Sequence, residues 1–238
     1  MTIYNDSLKS YTSTLLPKRF LLHGFGTKAL SGFPQHIPHK LWISMNQVHE
    51  THIQHINTLP DNVGTLQLDQ SDGVSTFLRD VLLTVKTGDC IAALYYDRKT
   101  QLIAISHQGW KGVLAHMSEK MIEHMRNLGS DPSDINVIMG PSIGHCCNRF
   151  SKPELRLFME EFPADADRII TPYSEGKHLD TRTLTYLQCI KAGIQEKNFD
   201  TFSCCTKCMS DTFWSHRGGT YQSTDVNRVG WNFIMKIS

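Results

Sequence analysis

VLLTVKTGDCIAALYYDRKTQLIAISHQGWKG, residues Val81 to Gly112, holds two apolar runs on either side of a polar break. The runs VLLTVKTGDCIAALYY and LIAISH are rich in Val, Ile, Leu and Tyr and have the composition of strands. Asp97-Arg98-Lys99-Thr100 between them is polar and of hairpin length. A hairpin centred between Arg98 and Lys99 sets Tyr96 opposite Gln101 and Cys90 opposite His107. Directly opposed side chains have Cβ atoms about 4.5–5.5 Å apart. A thiol and an imidazole at that spacing can share one metal ion or act as nucleophile and base. The plainer alternative is a thiol buried in a strand beside a histidine that ends its partner.

After His107, Gly109-Trp110-Lys111-Gly112 leads into a segment in which Leu114, Met117, Met121, Met125 and Leu128 recur at helical spacing. Gly129 ends that run, so a single helix is expected over Val113–Leu128. A glycine turn that opens a helix presents unpaired N–H groups to an anion, and Lys111 adds a positive charge there. A glycine turn with a solvated lysine is the other reading.

Working outward, Phe20–Phe25 and Leu41–Asn46 read as strands, separated by the Gly- and Pro-containing loop Gly26–His39. Of the histidines at 49, 52 and 55, His49 is singled out because it follows a strand as His107 does; His52 and His55 are expected on a solvated surface. Asp72-Gly73 fits a tight turn into a short strand. Ile135–Met139 reads as a strand buried on both faces, and it breaks into the loop Gly140–Cys147. The adjacent Cys146 and Cys147 are expected to diverge and not to share a metal. Glu154–Glu161, and a segment marked by Leu184, Leu187, Ile190 and Ile194, read as helices, the latter capped by Asp180 or Thr181. Cys205-x-x-Cys208 lacks a second such pair and reads as buried thiols. Phe213–Arg217 and Arg228–Ile237 are expected to close the chain as strands.

The chain has 238 residues, enough for a substantial core, with 40% hydrophobic and 20% charged residues, an ordinary globular composition. A net charge of +1 and the lack of a dense Lys/Arg run argue against a nucleic-acid partner. The first twenty residues lack the apolar core of a signal peptide, and no apolar run is long enough for a bilayer. A cytoplasmic protein with no membrane partner is therefore expected, and a monomer or weak homo-oligomer is taken as its state. Seven unevenly spaced cysteines suit reduced thiols and metal ligation better than a disulfide framework.

Asn46-Gln47-Val48-His49, Gly88-Asp89-Cys90, His107-Gln108-Gly109-Trp110-Lys111-Gly112 and Gly140–Cys147 form an ordered set of motifs. With Cys205-Thr206, Ser215-His216-Arg217 and Arg228 they resemble the YfiH family of bacterial purine nucleoside enzymes, also known as laccase-domain or polyphenol oxidoreductase proteins. The resemblance covers roughly Leu22 to the C-terminus. Departures are Gly88 for Ala, Gln108 for Ala, Lys111 for Arg, His216 for Tyr, and Ser142 and His145 in the glycine-proline loop. It implies an α/β (α+β) fold, a mixed β-sheet sandwich with flanking helices, as a single catalytic domain over residues 1–238. It also implies that His49, Cys90 and His107 bind one zinc with an open fourth position, the form of a catalytic site. Such an ion lowers the pKa of a bound water to about 7. The implied chemistry is phosphorolysis of adenosine, inosine and S-methyl-5′-thioadenosine, with deamination of adenosine. The implied substrates are thus purine nucleosides and phosphate. Asn46, Asp72, Lys111 and Arg228 are the candidate substrate-binding residues, and Asp89 or Asp72 would orient a histidine ligand.

Three rivals stand beside that reading. Copper in the same site could oxidise phenols, since N and S ligands favour copper in affinity; a multicopper centre would need His-x-His pairs, and the sequence has none. Cys90 and His107 could instead form a metal-free amide hydrolase acting on peptidoglycan precursors. Zinc could also serve only as a staple in a non-enzymatic interaction protein.

Overall fold

In a strand, successive side chains go to opposite faces, and this sorting builds the layers of the molecule. The computed structural model describes the chain except residues 31–32, 34–36, 61–63 and 174–175; part of the expected loop Gly26–His39 lies outside the described residues. The chain opens with β1 (Thr2–Asn5), β2 (Ser10–Ser13), β3 (Leu21–Gly26) and β4 (Leu41–Met45). It continues through β5 (Ile53–Ile56), β6 (Thr65–Leu68) and β7 (Gly73–Thr76). The central run supplies β8 (Val81–Thr87), β9 (Ile91–Asp97) and β10 (Ile103–Gln108), then α1 (Trp110–Leu114) and α2 (Met117–Asn127). Next come β11 (Ile135–Met139), α3 (Lys152–Glu161), α4 (Ala166–Ile169), β12 (Ile170–Tyr173) and β13 (Gly176–Leu179). Helix α5 (Thr181–Lys191), β14 (Phe199–Thr201) and β15 (Gly230–Lys236) complete the order.

One mixed sheet runs β1-β2-β3-β15-β8-β4-β6 and a second runs β14-β11-β9-β10-β7-β5. Val81, Leu83 and Val85 of β8 share a core with Ala92, Leu94 and Tyr96 of β9, so both sheets bury a face in it. Ala93 and Tyr95 point the other way, onto Met117, Met121 and Met125 of α2. Leu82, Trp231, Phe233 and Met235 turn outward from the first sheet to Phe33 and Ile37. The fold class is therefore the expected one, mixed β-sheets with flanking helices in a single domain. Among the described residues no helix is long and apolar enough to cross a membrane.

Several local expectations are corrected. Residues 81–96 are not one strand. The run breaks at Gly88-Asp89-Cys90, where Asp89 has φ 92°, and the chain passes from the first sheet (β8) to the second (β9). The hairpin register is displaced by two residues: Tyr96 faces Ile103 and His107 faces Ala92. The cause lies in the turn. Asp97 accepts hydrogen bonds at one carboxylate oxygen from the N–H of Lys99 and of Thr100 at 2.7 and 3.1 Å. Gln101 takes a left-handed φ of 59°, and Asp97 N–H bonds Leu102 O at 2.9 Å. A shift of two keeps every side chain on its face, but Cys90 falls just outside the β9–β10 ladder. The expected helix Val113–Leu128 is two helices, broken where His116 adopts φ 64°. Phe213–Arg217 forms turns and no strand. His55 is not a solvated residue; it is partly buried and bonds Ser75 Oγ, which in turn contacts His124. The helix expected near Leu184 is α5, and Asp180 caps it by accepting from Thr183 N–H.

Candidate metal centre

Asp72 is fully buried at the entrance to β7, and it builds half of the site. Its carboxylate accepts hydrogen bonds from the backbone N–H groups of Val48, His49 and Glu50 at 3.1, 3.1 and 3.0 Å. Three successive N–H groups converging on one anion form a nest, and His49 takes a φ of 65° within it. The same carboxylate lies 2.7 Å from His107 Nδ1, and Asp72 O accepts from His107 N–H at 2.7 Å. An ionised carboxylate can only accept, so Nδ1 carries the proton and His107 Nε2 is left for another partner. Hydrogen bonds to His107 and to the backbone outweigh burial and hold the Asp72 carboxyl below the usual range.

Cys90 completes the group from the sheet-to-sheet crossing. One ligand atom from each of His49, Cys90 and His107 lies within 4.8 Å of the others. The two imidazole rings stand 4.7 Å apart and nearly perpendicular, at 89°. Gly109 is required beside them: a Cβ there would come within 2.5 Å of His49 Cδ2. Burial pushes the Cys90 thiol up, but the charge of His107 and hydrogen bonds from both histidines bring it down to about 6. Burial likewise lowers His107, but Cys90 and Asp72 together raise it to about 9. The donor set fits a metal: two imidazoles and an acidified sulfur converge, and a buried carboxylate orients one imidazole as metal-binding histidines require. With three protein ligands, an ion here would keep a position open.

The group lies at a cleft of about 650 Å³, a size suited to a small molecule. Asn46 lines it. Lys111 does not. It is exposed, with its ammonium 5.7 Å from the Trp110 ring centre, and it lies outside the lining. Arg228 also lies outside, donating to Thr220 O and Gln222 Oε1 and so holding the loop before β15. Among the described residues Asp89 makes no hydrogen bond to a histidine side chain. Its carboxylate accepts from Thr206 Oγ1 and Arg217 N–H, each at 2.6 Å, and ties two loops to the residue before Cys90. Sequence reasoning missed the walls: Trp110, Phe150 and Tyr221, with Lys86 and Arg217 as the cations. Tyr221 packs on Gly88, where a Cβ would meet the ring at 2.3 Å; the Gly at that place in the Gly-Asp-Cys motif was the available signal. Arg217 stands in the Ser-His-Arg motif, and its guanidinium sits 5.7 Å from the Phe150 ring centre. The expectation that Cys146 and Cys147 diverge is also overturned, because both sulfurs join those of Cys205 and Cys208 in a second cluster.

The chain as a whole is similar to known proteins. The chain is 26% identical over 182 residues to the purine nucleoside phosphorylase YlmD of Bacillus subtilis. That alignment covers 74% of this chain and 65% of the relative, so the chain spans slightly less than two thirds of that protein's length. It is 24% identical to the adenosine deaminase RL5 of an unknown prokaryotic organism, over 71% of this chain and 67% of that protein. Among solved structures, YfiH of Bacillus licheniformis has the same fold, with a TM-score of 0.77 and 23% identity over 92% of this chain and 93% of that one. The expected resemblance to YfiH is thereby borne out. Residues 30–228 match the sequence profile described as multi-copper polyphenol oxidoreductase laccase, and the chain belongs to that family.

Proposed function

We propose that the chain is a zinc-dependent purine nucleoside enzyme that cleaves nucleosides with phosphate and also deaminates adenosine. The observation that carries this reading is the convergence of His49, Cys90 and His107 on one side of an aromatic-walled cleft. The names of the purine nucleoside phosphorylase and adenosine deaminase relatives support it. When bound, zinc would supply a Lewis acid and lower the pKa of a water held at its open position to about 7.

The chain's own residues account for the rest. Trp110, Phe150 and Tyr221 offer rings against which a purine can stack. Asp72 keeps His107 in one tautomer and one orientation through the 2.7 Å bond. Lys86 and Arg217 are the cationic side chains of the lining and would receive phosphate; Arg217 can engage it through two parallel hydrogen bonds. In phosphorolysis a phosphate oxygen bonds the anomeric carbon, the bond to N9 breaks, and the base departs with its electron pair and takes a proton. In deamination water adds at C6 and ammonia leaves. The copper reading has the family's description behind it, but among the described residues the nitrogen ligands comprise one group of two histidines. The test is product analysis of zinc-loaded protein with adenosine, with and without phosphate. Adenine and ribose 1-phosphate should form only with phosphate, and inosine in either case. Absence of both products, with oxidation of a phenol in copper-loaded protein, would replace this reading with the oxidase.

A further inference from the structure

We propose that Cys146, Cys147, Cys205 and Cys208 bind one zinc ion as a closed structural site, separate from the catalytic group. The four sulfurs lie within 4.8 Å of one another. Cys208 Sγ is 3.7 Å from Cys146 Sγ and 3.5 Å from Cys147 Sγ. Tetrahedral zinc with Zn–S bonds of about 2.3 Å sets its sulfurs roughly 3.8 Å apart. The spacing is that of ligands around an ion, and well beyond the roughly 2.05 Å of a disulfide.

Two turns aim the sulfurs inward. Cys147 N–H and Asn148 N–H both bond Gly144 O, at 2.9 and 3.1 Å, and this coil presents adjacent cysteines on one side. Met209 N–H bonds Cys205 O at 2.9 Å, curling Cys205-x-x-Cys208 around the same point. A bridge between Ser142 and Cys205, with Thr206 N–H bonding Ser142 O at 3.1 Å, joins the two loops. Zinc would take up four thiolates here, with the four S–H protons passing to buffer and no change of oxidation state. The resulting dianion needs a counter-charge. The Arg182 guanidinium packs with the Cys146 sulfur against Gly144, and it donates to Phe202 O of one loop and Ser142 O of the other. Four protein ligands fill the tetrahedron, so the site has no room for substrate and acts on the fold.

Its place gives it a use. Thr206 follows Cys205 and donates to Asp89, the residue before Cys90, and Ile143 N–H bonds Asp89 O at 2.9 Å. Zinc at the cluster would therefore brace both loops that hold Asp89 beside the catalytic ligand.

The experiment uses the full chain, purified under reducing conditions, loaded with zinc and desalted. The Cys90→Ala/His107→Ala variant, which lacks two of the three ligands of the proposed catalytic group, should keep one zinc per chain with four sulfurs at about 2.3 Å by X-ray absorption. Wild type should hold two. Cys146→Ser/Cys208→Ser should hold one fewer than wild type and melt at a lower temperature. A folded Cys90→Ala/His107→Ala variant without zinc would overturn the proposal. So would nitrogen or oxygen in the remaining shell, iron with labile sulfide in the isolated protein, or a Cys147–Cys208 disulfide that survives mild reductant. If the serine variant fails to fold, the alanine variant still decides the question.

Discussion

The molecule carries two sulfur-containing clusters built in opposite ways. His107 lies in β10 and Cys90 directly precedes β9, while His49 follows β4 by four residues on a loop tied to the buried Asp72 carboxylate that also holds His107. Cys146, Cys147, Cys205 and Cys208 sit entirely on loops, gathered by turn hydrogen bonds. The first is a partial shell facing a cleft, and the second is a full set of four sulfurs. An incomplete shell on a rigid frame suits chemistry, and a complete shell on loops suits stability. Asp89 couples them, because it precedes Cys90 and bonds the residue after one of the four cysteines.

The largest effect should separate the two clusters. His107→Ala is expected to cost on the order of 10³-fold in both nucleoside reactions, the scale of a lost group that stabilises transition-state charge. Circular dichroism should show a native fold; a folded variant with wild-type rates would dissolve the distinction.

Thiol chemistry sharpens the contrast. In metal-free protein Cys90 is pulled down to about 6, chiefly by His107 working against burial. Cys146 is pushed up to about 11 by burial and by the neighbouring sulfurs of Cys205 and Cys208. A thiol ionises above its pKa, so at pH 7 Cys90 is mostly thiolate and Cys146 is almost wholly protonated. Peptide-resolved alkylation should label Cys90 at least about tenfold faster at pH 7, part of its thiolate advantage being offset by lower intrinsic nucleophilicity. The Cys90 rate should fall as pH drops through about 6. Equal rates would show that the two environments do not differ.

Asp72→Asn should weaken metal binding at His49, Cys90 and His107 by roughly 10–100-fold, as loss of a histidine-orienting partner does. Asp89→Asn should act on melting temperature more than on that affinity, since its partners are loop groups. Competitive chelation and thermal melts distinguish them; the reverse pattern would exchange the assignments.

The last pair of variants concerns phosphate and includes the smallest expected effect. A hydrogen bond to a charged group contributes about 1.5–3 kcal/mol, so Arg217→Met should raise the phosphate requirement by roughly tenfold to a hundredfold. Lys111→Met, at an exposed position outside the cleft lining, should change it less than about twofold on the scale of a surface charge. Phosphate saturation curves for both variants check this.

The same contrast explains what could be read from the sequence. What composition and motifs carry was legible: the strand composition of Ile91–Asp97, the buried strand Ile135–Met139, and His49, Cys90 and His107 as a group implied by the family motifs. The details failed where a side chain overrode the pattern. Asp97 capped its own turn and moved the register, and the left-handed His116 cut a periodic segment into two helices. Loop-mounted features were hidden. Cys146 and Cys147 are some sixty residues from Cys208 along the chain, and only the folded loops reveal that their sulfurs meet. Arg217 stands in turns that read as a strand, and Lys111 held the motif position of a cation while its side chain lies outside the cleft.

The central claim, that one metal group serves both nucleoside reactions, is tested most directly by stripping the protein of metal and titrating zinc back. Phosphorolysis and deamination of adenosine are followed together, in wild type and in His107→Ala. Both activities should vanish on stripping, return in parallel as zinc is restored, and stay absent in His107→Ala. Turnover that persists without metal and is destroyed by alkylating Cys90 would contradict the claim.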